Sequence, residues 1–237
     1  MAQYKRILLK LSGEALATET QTVDPKTLDS VVQIIQSALE MGVQVGIVVG
    51  GGNIFRGAAL AQAGMNRVTG DHMGMLATVI NALAISDACT RVGVRSRVMS
   101  GFDIGGGVCD PFDHNKAKDA LNAGEVVICS AGTGSPCFTT DTGATLRAIE
   151  MGADVVFKAT KVDGVYTDDP MTNPEAVKYD RLSFDEAIRQ DLKIMDTAAF
   201  AMCREHKIDI CVFSMLEDTN TLKRILNGEN LGTIVGE

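Results

Sequence analysis

The sequence predicts an α/β fold: a three-layer α/β/α sandwich around a mostly parallel central sheet. Short, largely apolar runs such as 43–49 and 126–129 have the composition of strands covered on both faces. Longer stretches between them carry apolar residues at helical spacing. One junction also recurs. Met41-Gly42-Val43, Val92-Gly93-Val94, Ala123-Gly124-Glu125 and Met151-Gly152-Ala153 each close a helix with glycine and enter an apolar run. Strands alternating with helices give a parallel sheet with right-handed crossovers. The 237 residues allow one large domain or two fused lobes.

The first strand spans 4–11 and breaks at Ser12-Gly13-Glu14. Asp24-Pro25 supplies an N-cap and a first-turn proline. Leu28, Val31, Val32, Ile35, Ala38 and Leu39 follow at helical spacing until Gly42. Residues 43–49 form the second strand. A helix beginning near Asp71 carries Met73, Leu76, Val79, Ile80 and Leu83 on one face. Such a face suits the core; the alternative is an oligomer surface made of Met73, Met75, Leu76, Val79 and Leu83. Strand 94–99, glycine-rich loop 101–112, helix 115–122 and strand 126–129 come next. Loop 131–140 then leads into a helix over 141–151. Strand 155–158 precedes an irregular stretch, 163–180. Helices at 184–190 and 195–205, a strand at 208–213, a helix at 221–226 and a strand at 233–235 complete the chain.

Hydrophobic residues are 46% and charged residues 22%, a globular composition that argues against disorder. A formal net charge of -8 argues against nonspecific nucleic-acid binding. It leaves small anionic ligands open, because an acidic chain can hold a locally basic pocket. Six cysteines include no Cys-x-x-Cys pair and three histidines are scattered, so no zinc site is expected. Cys129 and Cys211 lie in apolar runs and read as core. No stretch reads as a signal peptide or a membrane span, and free thiols point to the cytosol.

The unusual residues collect in four loops that follow strands, where ligands bind in such folds. Lys10-Leu11-Ser12-Gly13 offers an ammonium for phosphate, a hydroxyl and a flexible backbone. In Gly50-Gly51-Gly52-Asn53-Ile54-Phe55-Arg56-Gly57, bare N–H groups form an anion cradle that the Arg56 fork can reach. A plain tight turn is the alternative. Loop 131–140 offers glycine amides and hydroxyls at a helix start, where anions bind well. Asp141 is either the cap of that helix or a ligand contact, and Asp71 is equally ambiguous. The stretch 158–170 mixes cations, carboxylates and Tyr166, the groups a nucleotide with its metal needs. No Gly-x-x-x-x-Gly-Lys-Ser/Thr occurs, and Gly50-x-Gly52-x-x-Phe55 breaks the dinucleotide fingerprint.

Lys10-Leu11-Ser12-Gly13-Glu14-Ala15-Leu16, the 50–57 loop, Gly70-Asp71-His72-Met73-Gly74-Met75-Leu76-Ala77-Thr78 and Lys158-Ala159-Thr160-Lys161-Val162-Asp163-Gly164-Val165-Tyr166 together resemble the amino acid kinase superfamily. Within it they are similar to the bacterial uridylate (UMP) kinases. The resemblance implies a single amino acid kinase-like domain over 1–237, its N-terminal part mainly the UMP side and its C-terminal part mainly the ATP side. It implies the reaction ATP + UMP → ADP + UDP with Mg2+, in pyrimidine nucleotide biosynthesis. The implied ATP-site positions are Lys10, Leu11, Ser12, Gly13, Gly52, Arg56, Thr160, Tyr166 and Asp169. The implied UMP-site positions are Gly51, Asp71, Thr133, Gly134, Ser135, Pro136, Cys137, Phe138, Thr139 and Thr140. Lys10, Arg56 and Asp141 are the catalytic candidates, and no protein-borne metal site is expected.

The resemblance further implies a cytoplasmic homohexamer, inhibition by UTP and, in many members, activation by GTP, with no nucleic-acid or membrane partner. Ala17-Thr18-Glu19-Thr20-Gln21-Thr22-Val23 has no glycine where GTP-responsive relatives are often glycine-rich. Cys137-Phe138 stands where many relatives have two phenylalanines. A phosphate acceptor with a second pKa of about 6 is already largely ionised near neutral pH. No strong general base is needed, and none of His72, His114 or His206 is assigned that role. Positioning and charge neutralisation carry the reaction. Lys10 is expected to steady the transferred group and Arg56 to bridge the phosphates. Lys158 or Lys161 is expected to add charge on the ATP side. Competing readings are a carbamate- or acyl-phosphate-forming kinase on this fold, a noncatalytic nucleotide-binding protein and, more distantly, a dehydrogenase.

Overall fold

At the centre of the sheet, β1 (Arg6–Leu11) pairs in parallel with β2 (Gln44–Val49) and β6 (Val155–Thr160). The structure, a computed structural model, describes residues 2–55, 64–215 and 218–237. Among the described residues the remaining strands are β3 (Ser96–Ser100), β4 (Asp110–Pro111), β5 (Val126–Ser130), β7 (Arg181–Leu182), β8 (Asp209–Ser214) and β9 (Thr233–Val235). The order is β4-β3-β5-β2-β1-β6-β8-β9-β7, and among the described pairings of these strands only β8 with β9 is antiparallel.

Helices cover both faces, so the sandwich is three layers deep. On one face α1 (Pro25–Glu40), α2 (Arg67–Arg91) and α7 (Thr221–Leu226) bury Ile7, Leu9 and Leu11 of β1. On the other, α3 (His114–Asn122) and α4 (Thr140–Met151) bury Leu8, Val48 and Val156. α5 (Phe184–Arg189) and α6 (Thr197–Glu205) extend that layer over β8 and β9. Each fully buried aliphatic side chain contributes about 1.5–3 kcal/mol. Phe157 sits edge-on to both Tyr4 and Phe213, at 5.8 and 5.7 Å between ring centroids.

Strand alternation now fixes two polar residues. Ile7, Leu9 and Leu11 point to the α1 side, so Leu8 and Lys10 point to the α4 side. In β6, Val155, Phe157 and Ala159 point to the α1 side, and Val156 and Lys158 to the α4 side.

Helix starts follow capping chemistry. Asp24 caps α1 through the Thr27 N–H at 2.9 Å, with Pro25 in the first turn, as the sequence predicts. α2 starts four residues before Asp71, because Asn66 accepts from the Val68 and Thr69 N–H groups. α4 is capped by Thr139, which leaves the Asp141 carboxylate for other partners.

The expected apolar face of α2 splits. Met75 and Val79 are buried, as are Ala82, Ile85 and Cys89, while Met73, Leu76, Ile80 and Leu83 are exposed. The 25-residue α2 is long and apolar enough by composition to cross a membrane, contrary to the sequence expectation. It packs here against α1, β3 and β5.

Candidate active site

Lys10 and Lys158 are register partners in the parallel β1–β6 pair. Two like charges directly across a ladder repel. Asp141, in the first turn of α4, answers both. Its Oδ1 lies 3.0 Å from Lys10 Nζ, and its Oδ2 accepts from Lys158 Nζ at 2.7 Å. The Lys10 contact is close but off hydrogen-bond alignment, since Oδ1 is buried with no hydrogen-bond donor. Lys158 Nζ also donates to the Ile194 carbonyl at 2.5 Å. All three side chains are 13–16% exposed. A first-turn carboxylate also suits the positive end of the helix. Burial, opposed by Asp141 and reinforced by Lys10, holds Lys158 below the ordinary lysine value.

The cluster reaches two clefts: Thr140, next to Asp141, lines one, and Lys158 lines the other. One, about 420 Å³, is lined by Gly51, Gly52, Phe55, Asp71, Thr133 and Thr139 among others. The other, about 820 Å³, is lined by Lys158, Thr160, Tyr166, Asp169 and Ile194 among others. α4 begins at the first cleft, since Thr140 lines it, and Asp141 follows immediately.

The loops between the clefts touch. A Cβ on Gly13 would meet the Gly50 carbonyl at 2.7 Å, so glycine is needed there by loop-on-loop packing. A Cβ on Gly51 would meet the Gly74 carbonyl of α2, also at 2.7 Å. Gly52 differs: nothing lies within 4 Å of its absent Cβ, and it lines the smaller cleft. Asn81, fully buried on α2, donates to the Gly50 carbonyl at 2.7 Å and to Asn53 Oδ1 at 2.8 Å.

Of the ATP-site candidates, Thr160, Tyr166 and Asp169 share the larger cleft. Ser12 and Thr160 line a small adjoining pocket of about 50 Å³. The Leu11 side chain is fully buried in the core, so only its backbone can serve a ligand. Gly52 falls in the smaller cleft rather than with the other ATP candidates. Arg56 lies outside the described residues.

Of the UMP-site candidates, Gly51, Asp71, Thr133, Phe138, Thr139 and Thr140 line the smaller cleft. Gly134, Ser135, Pro136 and Cys137 are not among its lining residues, though Ser135 and Cys137 bond to residues that are. The Cys137 N–H donates to Asp71 Oδ2 at 2.7 Å, and Thr133 Oγ1 donates to the Ser135 carbonyl at 3.1 Å. Asp71 also accepts from Arg67 Nε at 2.9 Å.

Asp196 and Ile194 are among the residues that escape the sequence reading. Asp196 caps α6 and accepts from the hydroxyls of Thr139 and Thr142. Burial pushes its pKa up, but those hydroxyls and the Ala198 and Ala199 N–H groups outweigh burial and hold it below the ordinary value. Ile194, two residues earlier, supplies the carbonyl to Lys158. The segment 194–196 therefore ties both clefts together. Between the two lysine candidates, Lys158 belongs to the cluster, while Lys161 is 79% exposed and pairs with Glu14 at 3.3 Å.

Paired cations in a cluster that reaches two clefts, with glycine amides alongside, suit phosphoryl groups on neighbouring ligands. The model of the amino acid kinase family matches residues 5–214. This chain belongs to the amino acid kinase family. A protein named uridylate kinase, from Ruthia magnifica subsp. Calyptogena magnifica, is 68% identical over 235 residues, 99% of this chain and 98% of that one. A uridylate kinase from Vesicomyosocius okutanii subsp. Calyptogena okutanii is 62% identical, with 99% of both chains covered. The crystal structure of UMP kinase from Bacillus anthracis superposes with a TM-score of 0.94 at 37% identity, covering 98% of this chain and 96% of that one. The family fold implied by the sequence is thus the fold observed.

Proposed function

We propose that this family member is a UMP kinase, transferring the γ-phosphoryl group of ATP to a phosphate oxygen of UMP to give ADP and UDP in pyrimidine nucleotide biosynthesis. The observation that carries the reading is the Lys10–Asp141–Lys158 cluster reaching two clefts. Full-length relatives named uridylate kinase support the choice of acceptor. UMP occupies the smaller cleft, with Asp71 at the ribose and loop 133–140 around uracil and phosphate. ATP occupies the larger cleft, with Thr160, Tyr166 and Asp169, and its phosphates run toward Ser12, Gly13 and Gly52. The chain works as one domain, its N-terminal part mainly around UMP and its C-terminal part mainly around ATP.

An acceptor oxygen of UMP forms a bond to the γ-phosphorus as the bond to the β-bridging oxygen breaks; that oxygen leaves with ADP. Lys10 steadies the moving group, and Lys158 adds positive charge on the donor side. Asp141 holds both ammonium groups together and is not a base, because the acceptor is already ionised. Arg56 bridges the two sets of phosphates. Glycine amides hold oxygens as charge redistributes.

The kinase reading implies a divalent metal, and Mg2+ is our assignment. Among the described residues no group of three or more His, Cys, Asp or Glu side chains could hold a metal. The Asp141 carboxylate is turned to lysines. That donor set fits Mg2+ brought in on ATP phosphates and water, neutralising phosphate charge. The exposed Met73, Leu76, Ile80 and Leu83 stripe supports a homo-oligomer, with the hexamer as our assignment. UTP inhibits, and the enzyme works in the cytoplasm.

An ATP-consumption assay across UMP, CMP, carbamate and amino acids tests the reading, with GTP and UTP as added arms. UMP-dependent ADP release with equal UDP is expected. ATP binding without UMP-dependent turnover would favour a noncatalytic binder. Preference for carbamate or a carboxylate would favour a sister kinase.

A further inference from the structure

Arg147 lies inside α4, is 4% exposed and touches neither cleft directly. Its guanidinium makes three contacts with separate elements. It lies 3.9 Å from the centroid of the Phe112 ring, just before α3. Nη1 donates to Glu150 Oε2 at 2.6 Å, and Nη2 donates to the Gly132 carbonyl at 3.1 Å. Nε is buried with no hydrogen-bond partner among the described residues. A buried donor left unmatched costs stability. The guanidinium is therefore oriented for the ring, the carboxylate and Gly132, at the expense of Nε.

Gly132 is where the smaller cleft is shaped. Ala131 and Gly132 are successive left-handed residues, at φ 56° and 55°. A non-glycine residue there is strained, and such a turn persists only when its surroundings hold it. Thr78 on α2 accepts from the Ala131 N–H at 2.7 Å, and Arg147 on α4 supplies the charged donor to the next carbonyl. Gly143 packs so closely that its Cβ would meet Gly132 Cα at 3.0 Å. Gly132 and Thr133 then line the cleft.

Resting on the UMP kinase reading, we infer that Arg147 is a positioning residue for the acceptor: it clamps the 131–133 turn from behind and so sets UMP affinity. Its effect reaches the substrate only through the Gly132 carbonyl. Removing it relaxes the turn and displaces Thr133, while the Lys10–Asp141–Lys158 cluster stays in place.

The test compares wild type, Arg147→Met, Arg147→Lys and the core control Ile225→Val on α7. Steady-state KM for UMP and for ATP, kcat, Tm and calorimetric UMP binding are measured on the full chain. Arg147→Met is expected to raise KM and Kd for UMP about tenfold or more, the scale of a lost charged hydrogen bond. KM for ATP and kcat should stay within about threefold, since those groups are untouched. Arg147→Lys, which can reach Gly132 but cannot keep all three contacts, should fall between. Where Arg147→Met does not fold, Arg147→Lys alone decides, by whether UMP KM rises without ATP KM. Unchanged UMP affinity, equal losses for both substrates, or the same UMP shift in Ile225→Val would overturn the proposal. Wild type that binds UMP but forms no UDP would instead sink the kinase reading, and calorimetry would still report the clamp.

Discussion

Lys10 and Lys158 stand side by side in adjacent parallel strands, and one carboxylate, Asp141, answers both. Such a juxtaposition has no use in a core, where two buried ammonium groups cost several kcal/mol each without partners. It suits a place where further negative charge arrives. ATP and UMP phosphates would complete what Asp141 only begins.

Removing that carboxylate should be severe. Asp141→Asn leaves both ammonium groups largely buried without their direct counter-charge. We expect a loss of about 3 kcal/mol in urea unfolding, as for a broken buried pair. Turnover should fall about 100-fold or more as the lysines lose their placement. Retained turnover with an unchanged unfolding midpoint would show that the cluster is incidental.

Lys158 predicts a pH dependence of opposite sign for stability and for activity. Burial, opposed by Asp141 and reinforced by Lys10, holds its pKa in the folded chain below the ordinary 10.5. Between those two values the unfolded chain binds the extra proton, so this group's contribution to stability rises with pH. Activity needs the cation and declines over the same range. The alkaline limb of kcat/KM for ATP, which reports the free enzyme, should therefore lie below 10.5 and move upward in Lys158→Arg, which stays protonated. Identical limbs in both proteins would remove Lys158 from the donor side.

The loop contact at Gly13 is equally testable. A methyl group there runs into the Gly50 carbonyl and must push the two loops apart. Gly13→Ala should cost about 1–3 kcal/mol, the usual range for overpacking. It should raise KM for ATP more than KM for UMP. Equal kinetics in variant and wild type would mean that the loops can separate without consequence.

The exposed stripe on α2 gives a prediction about assembly. Ile80 is 53% exposed, so Ile80→Glu should change subunit stability by less than about 0.5 kcal/mol. In a homo-oligomer closed by this face it should shift sedimentation to a smaller species. Sedimentation identical to wild type would place the interface elsewhere.

Much of this was legible in the sequence, for physical reasons. Short apolar runs set off by glycine suit strands buried on both faces, and glycine after a helix marks the turn into the next one. Asp24-Pro25 announced α1, and Asp141 was visible as a choice between cap and contact. Thr139 decided it, because its hydroxyl took the cap. Strand alternation alone could have separated Lys158 from Lys161: positions 155, 157 and 159 are apolar, so 158 faces the other layer. On α2, hydrophobic spacing shows a face, not what covers it, so core and oligomer surface read alike in the sequence. Asp196 and Arg147 left weaker traces. With a helix expected over 195–205, Asp196 falls inside it, and nothing local marks it as the cap that also meets Thr139 and Thr142. An arginine amid Ala144, Ala148 and Met151 reads as a surface residue until Phe112 and Gly132 arrive from distant parts of the chain.

The central claim is that Lys10 acts on the group in flight rather than on UMP binding. Steady-state kinetics of purified Lys10→Ala with ATP and UMP measures this directly. kcat should drop about 100-fold or more with UMP KM within about threefold, the pattern of an interaction made only in the transition state. Near-normal turnover, or a loss confined to UMP KM, would contradict it.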